Sequence, residues 1–263
     1  MKNLAAILSC GILLFSCCSK KEQPADNSAQ NESVIVKPSY AVDSLKVEDS
    51  VAVNPNLTAF FKKQILVFPT SDKALLDSIY SPANLKLTSY ELDSLKAGLE
   101  KVKQNYFTDI KEDAKDWEYD SKRIWDENSA MKVVSHNGNL LTIQYSGGGF
   151  SGGAHGYYFE NYKVFDLESK KVISLNDIFQ NPKDAVWNDI LMKNFTDKDQ
   201  KEMLLEDKIA PNNNFYFDNN GITFVYNQYE ITAYAAGLVY INLKFNDIKD
   251  QLKPEFLKKY NIK

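Results

Sequence analysis

The stretch MKVVSHNGNLLTIQY (Met131–Tyr145) decides the fold class. Met131 and Val133, then Leu141, Ile143 and Tyr145, recur at every second residue, the period of a half-buried strand. Between these runs stands His136-Asn137-Gly138-Asn139. Asn-Gly in that position predicts a type I′ hairpin turn, with positive φ at both Asn137 and Gly138. His136 then reads as an exposed residue beside the turn.

Directly after this hairpin comes SGGGFSGGAHG (Ser146–Gly156), with six of the chain's eleven glycines and one of its two histidines. Glycine has no Cβ, so the backbone can turn tightly here or approach another surface closely. Tyr157–Phe165 follows with aromatics on both alternations, which predicts a strand covered on both sides. The glycine segment therefore reads as a tight loop between two strands.

On the N-terminal side, Val34–Val53 alternates enough for one or two strands. Leu57–Phe68 shows a helical apolar face ending at Pro69, and Thr70–Tyr80 predicts another short helix. The clearest helix starts at Thr88, with Glu91 placed to complete a capping box. Leu92, Leu95, Leu99, Val102, Tyr106 and Ile110 fall on one face of it and read as core. On the C-terminal side, Asn181-Pro182 predicts a helix start, with Ala185, Val186, Ile190 and Leu191 as its apolar face. Thr196 begins another helix, ending near Lys208. Phe215–Phe217, Ile222–Tyr226 and Val239–Phe245 predict strands, and an amphipathic helix closes the chain. Strands and helices are segregated, so the expected fold is α+β: antiparallel sheets with segregated helices in two closely packed subdomains. The expected divisions are 34–145 and 146–263.

The first residues predict export. Lys2 and the apolar run Leu4–Phe15 make a signal peptide over residues 1–16, too short for a stable membrane span. Leu14-Phe15-Ser16-Cys17 resembles a bacterial lipoprotein cleavage box, which marks Cys17 for lipidation. Several acyl chains hold a protein on a membrane where one would not. Residues 17–33 are polar and predict a disordered tether with a reach of about 20 Å. No later stretch has transmembrane length. The expected location is the cell envelope, with the lipid anchor in the outer membrane and the protein on its periplasmic or surface face.

Net charge is −4, and −5 once Lys2 is removed with residues 1–16. That balance speaks against nucleic acid and suits a cationic protein partner. Cys10, Cys17 and Cys18 are the only cysteines, so the folded part has no disulfide or thiolate metal site. With His136 and His155 the only histidines, neither a metal nor a cofactor is expected.

Two catalytic patterns overlap in the glycine segment. Gly147-Gly148-Gly149-Phe150-Ser151-Gly152 satisfies G-x-G-x-x-G, and Gly149-Phe150-Ser151-Gly152-Gly153 satisfies G-x-S-x-G. A dinucleotide site and a nucleophile elbow both require a helix directly afterwards, where this sequence has an aromatic strand. A serine hydrolase using Ser151 is the remote alternative, and the expectation is a protein without catalytic residues. The candidate ligand-binding residues are Ser151, Gly152, Gly153, His155, Tyr157, Tyr229, Glu230 and Tyr234. No glycosidase pair stands out among the 35 carboxylates.

Several segments carry a family resemblance. They are Gly152-Gly153-Ala154-His155 with its aromatic strand, Phe165–Lys171, Leu175–Phe179, Phe215–Phe217, Tyr229-Glu230-Ile231, Tyr234-Ala235-Ala236-Gly237 and the closing strand. Together they resemble the extracytoplasmic domain family shared by the lysozyme-sensing anti-sigma factor RsiV and the peptidoglycan deacetylase PdaC. Residues from about 33 to 145 are similar to the companion domain that usually precedes it. The resemblance implies an α+β module that meets lysozyme or the cell wall. These 263 residues hold neither the sigma-binding segment with its span nor the deacetylase metal ligands, so the binding module alone is expected. The partner would be a lysozyme-like protein or a cell-wall component. A peptidoglycan glycan-binding or accessory module is the alternative.

Overall fold

A computed structural model of the protein describes residues 43–260, apart from 71 and 219. The readings placed on the signal peptide, Cys17, the tether and the start of the first strand lie outside the described residues. The architecture is α+β, built on two sheets.

The first sheet has six strands in sequence order: β1 (Asp43–Asn54), β2 (Leu57–Val67), β3 (Arg123–Asn137), β4 (Leu140–Phe150), β5 (Tyr157–Asp166) and β6 (Lys171–Val172). All neighbours are antiparallel except β2 and β3. That parallel pair needs a crossover, supplied by α1 (Lys73–Tyr80) and α2 (Leu92–Asp113). The second sheet is an antiparallel meander of β7 (Phe215–Phe217), β8 (Gly221–Tyr226) and β9 (Val239–Lys244). Around it stand α3 (Leu175–Ile178), α4 (Val186–Asn194), α5 (Lys198–Glu202) and α6 (Pro254–Lys259).

Leu57–Val67 is a strand, not the helix its spacing suggests. Leu57, Ala59, Phe61, Lys63 and Ile65 are all buried, at a strict period of two. Pairing with β1 on one side and β3 on the other overrides the local helical pattern. The N-cap of α2 is Glu91, without a side-chain cap bond, so Thr88 forms no capping box. A capping box does occur at Ser174, with Asp177 reaching back at the start of α3. At Asn181-Pro182 the chain makes a turn and α4 begins only at Val186. Trp187 Nε1 donates to the Asn181 carbonyl at 2.9 Å, which fixes that turn in place of a helix. The helix expected from Thr196 is the short α5, capped by Asp197. The β3–β4 turn is offset by one residue. Asn137 pairs with Leu140, the loop is Gly138-Asn139, and of the turn residues only Gly138 has positive φ.

Two apolar layers result. One packs α1 and α2 on the first sheet, through Ile65, Leu76, Ile79, Leu95, Leu99, Ile143 and Phe165. The other fills the second sheet with Trp187, Leu191, Phe224, Ile241 and Phe256, and reaches β5 through Val164. The division expected at 145/146 falls inside β4, which pairs with β3 and β5 along its length.

Side-chain amides make the junction between the two sheets. Among the described residues, β5 has no strand on its outer edge beyond its short pairing with β6. The Tyr162 N–H donates to Asn214 Oδ1 at 2.6 Å, and Asn214 Nδ2 donates to the Glu160 carbonyl at 2.8 Å. The Glu160 N–H donates to Asn227 Oδ1 at 2.8 Å, and the Tyr158 N–H to Gln228 Oε1 at 3.1 Å. These amides stand where a strand would, satisfying edge groups that would otherwise be open to pairing.

Candidate recognition site

The glycine segment divides between strand and loop. Gly147, Gly148 and Gly149 lie in β4, opposite Phe159, Tyr158 and Tyr157 of β5. A Cβ on Gly148 would stand 2.6 Å from the Tyr157 carbonyl oxygen, and one on Gly147 2.5 Å from that of Asn128. Glycine here lets the neighbouring backbones close in. Only Ser151–Gly156 form the loop, and β5 follows it directly, without a helix.

Within that loop Gly152 has φ +89° and lies against Trp117 and Trp125, whose rings meet edge to face at 5.1 Å. His155 is held across the junction. Its ring stacks on Tyr234, centroids 3.8 Å apart with 25° between planes. Its Nδ1 is 2.8 Å from the Gly156 carbonyl, which can only accept, so Nδ1 carries the proton. In the neutral ring Nε2 is then the acceptor, 3.3 Å from the Tyr229 hydroxyl. Tyr229 has φ +64° and is 58% exposed. The turn presenting it is braced by Glu230, whose carboxylate accepts from the Asn227 N–H at 2.9 Å and from Asn212 Nδ2 at 2.7 Å.

The structure thus brings together His155, Tyr229 and Tyr234, with Glu230 as the brace of the turn. Ser151 is exposed and makes no hydrogen bond to His155. Gly153 is open to solvent. Tyr157 stands apart from the three-ring cluster, over a groove.

That groove, about 760 Å³, was not legible in the sequence. Gly147–Gly149 form part of its lining, together with Phe60, Lys62, Asp126, Tyr157, Tyr158 and Glu160. Even-numbered residues of β2 and β3 face it, opposite the side covered by helices. On the β5 side Glu160 Oε2 accepts from the hydroxyls of Tyr162 at 2.6 Å and Tyr240 at 3.0 Å. Burial, then the Glu160 carboxylate, hold both phenols well above the ordinary tyrosine range. Tyr158 is 45% exposed and Tyr240 44%, and the Tyr158 hydroxyl lies beside Gly237, which follows the Tyr234–Ala236 turn. Among the described residues, no three His, Cys, Asp or Glu side chains are placed to hold a metal ion. None of the helices described is long and apolar enough to cross a membrane.

The scaffold is α+β, with exposed aromatic rings beside an open groove. Residues 166–246 match the family described as "Protein of unknown function (DUF3298)", so the chain carries a DUF3298 domain. The chain is similar to a crystal structure of a DUF3298 family member from Bacteroides fragilis NCTC 9343. That match has TM-score 0.67 and 25% identity, covering 85% of this chain and 97% of the other. It is also similar to a DUF3298 family protein from Pseudomonas aeruginosa PAO1, with TM-score 0.56 and 20% identity, over 82% and 95% of the two chains. No curated protein matches the sequence. The matched segment contains Tyr229, Glu230 and Tyr234, while His155 reaches them from outside it.

Proposed function

We propose that the protein is a non-catalytic binding lipoprotein of the cell envelope, anchored through Cys17 and related to the RsiV and PdaC extracytoplasmic domains. Its ligand is a lysozyme-like protein, met by the surface around His155, Tyr229 and Tyr234. The observation that supports this reading is the three-ring cluster. An exposed Tyr229 on a braced turn, beside a half-buried Tyr234 held by a stack, gives contact area at low entropic cost, the usual character of interface anchors. The acidic chain complements a cationic enzyme and would speed encounter with it.

The experiment is a binding measurement between the purified chain and lysozyme at low salt. A complex that Tyr229→Ala weakens is expected, and the absence of any complex would remove the reading. Loss of lipid labelling in Cys17→Ser tests the anchor. The groove favours a second reading, a peptidoglycan glycan-binding module, because aromatic rings beside amides and carboxylates suit a sugar chain. Retention on insoluble peptidoglycan, with no lysozyme complex, would select it.

A further inference from the structure

On the opposite face of β2 and β3 from the groove lies a second pocket, of about 270 Å³, between the sheet and the turn after α1. It holds two charged side chains of opposite sign, Lys63 and Glu127. Lys63 is only 6% exposed. Its ammonium donates to Ser129 Oγ at 3.2 Å and makes no direct ion pair with Glu127. The Glu127 carboxylate makes no hydrogen bond to any described residue, though burial raises its pKa above the usual range and Lys63 only partly offsets this. Burial likewise lowers the Lys63 ammonium, with the Glu127 charge opposing. The Tyr106 hydroxyl is buried without a partner, and burial first, then the Glu127 charge, raises its pKa.

Buried polar groups are normally satisfied, and buried charges are normally paired. Here a buried ammonium and a half-buried carboxylate line one small cavity and are not bonded to each other. The Tyr106 and Tyr157 hydroxyls stand near Glu127 without a hydrogen bond to it, and Lys63 has two unused N–H groups. A ligand carrying both charges would complete both ends at once.

We propose that this pocket binds a small zwitterion, an α-amino acid with a short apolar side chain. Its carboxylate meets Lys63 and Ser129, and its ammonium meets Glu127. Met131, Tyr145 and Phe159 supply the apolar wall for the side chain. The volume lies just below the range of about 300–1,000 Å³ usual for drug-sized ligands, which suits a molecule of that size. The site shares no residue with the three-ring cluster, so the two proposals stand or fall separately.

The test is calorimetric titration of the purified full chain with L-alanine, D-alanine, acetate, ethylammonium and N-acetylglucosamine. Saturable binding of at least one alanine enantiomer is expected, with acetate and ethylammonium each at least ~10-fold weaker, as loss of one charged hydrogen-bonded end implies. Lys63→Met and Glu127→Gln should each weaken alanine binding by about 10- to 100-fold, while Tyr229→Ala leaves it unchanged. Glu127→Gln preserves shape and serves should Lys63→Met fail to fold. No saturable heat with either enantiomer at millimolar concentration, binding of the sugar alone, or variants that bind like the parent would each overturn the proposal.

Discussion

His155 and Tyr234 stack face to face, 3.8 Å between ring centroids, and so tie the glycine loop before β5 to the segment between β8 and β9. The tilted Tyr229 ring completes the group, 5.8 Å from Tyr234 and 6.3 Å from His155. Because His155 and Tyr229 are exposed and Tyr234 is half-buried, their mutual packing shapes a contact face more than it supports the core. Tyr229→Ala is therefore expected to weaken lysozyme binding by about 2 kcal/mol or more, the size of an interface hot spot. His155→Ala should act less strongly, by releasing Tyr234, and should cost the free protein only about 1 kcal/mol. Paired binding and thermal-melt measurements check this. A large loss of stability without loss of binding would make the cluster a structural clasp.

Asp166 carries a pH-dependent part of the stability. Its side chain is only 1% exposed. Burial pushes its pKa up, but hydrogen bonds from Lys259, Ser169 and Tyr260 outweigh this and hold it at about 2, below its ordinary 3.8. A carboxyl depressed in the folded state stabilises above its unfolded pKa, and that contribution fades as pH falls from about 4 toward 2. The shift corresponds to about 2 kcal/mol. Since the Lys259 side chain is 42% exposed, water screens part of that attraction and the figure is an upper one. Asp166→Asn should lower stability near neutral pH by about that amount and flatten the acid limb of a urea-denaturation series. An unchanged acid limb would show that Asp166 is not the titrating group.

How much of this was legible in the sequence depended on the range of the forces involved. The hairpin from Met131 to Tyr145 and the meander β7–β8–β9 follow from local periodicity and are present, as is the apolar face of α2 except at Leu92, which is 46% exposed at the helix start. Leu57–Val67 misleads because its apolar spacing fits a helix while its pairing partners, Asp43–Asn54 and Arg123–Asn137, lie elsewhere in the chain. His155, Tyr229, Glu230 and Tyr234 were selected as candidates, but their meeting depends on contacts more than 70 residues apart. The groove and the Lys63–Glu127 pocket left no signal, since a charged residue inside an alternating strand reads as solvent-facing until the register is known.

The amides along β5 are where a single atom exchange should be costly. Asn214 spans two groups of one strand edge, accepting from Tyr162 and donating to Glu160. Asn214→Ala leaves both partly buried groups without that partner, and a loss of about 2 kcal/mol is expected, at one to three per unsatisfied group less what water recovers. Asn214→Asp should keep the acceptor and lose the donor, and so fall between. Chemical denaturation of the three proteins checks the ranking, and faster amide exchange at Tyr162 in the alanine variant would locate the effect.

The glycines of the central segment should divide by cause. Gly148 sits where a methyl would press on the Tyr157 carbonyl at 2.6 Å, a backbone atom that cannot swing away. Gly148→Ala must therefore push β4 and β5 apart, and a loss of about 3 kcal/mol is expected, as for other overpacked sites. Gly153 has φ +90° but nothing within 4 Å of an added Cβ. Gly153→Ala then costs only the backbone strain, about 1 kcal/mol. Thermal unfolding of the two variants separates close strand approach from backbone conformation. Equal losses would mean that the strands have room to spare, and that glycine at 148 answers to something other than the packing of β4 on β5.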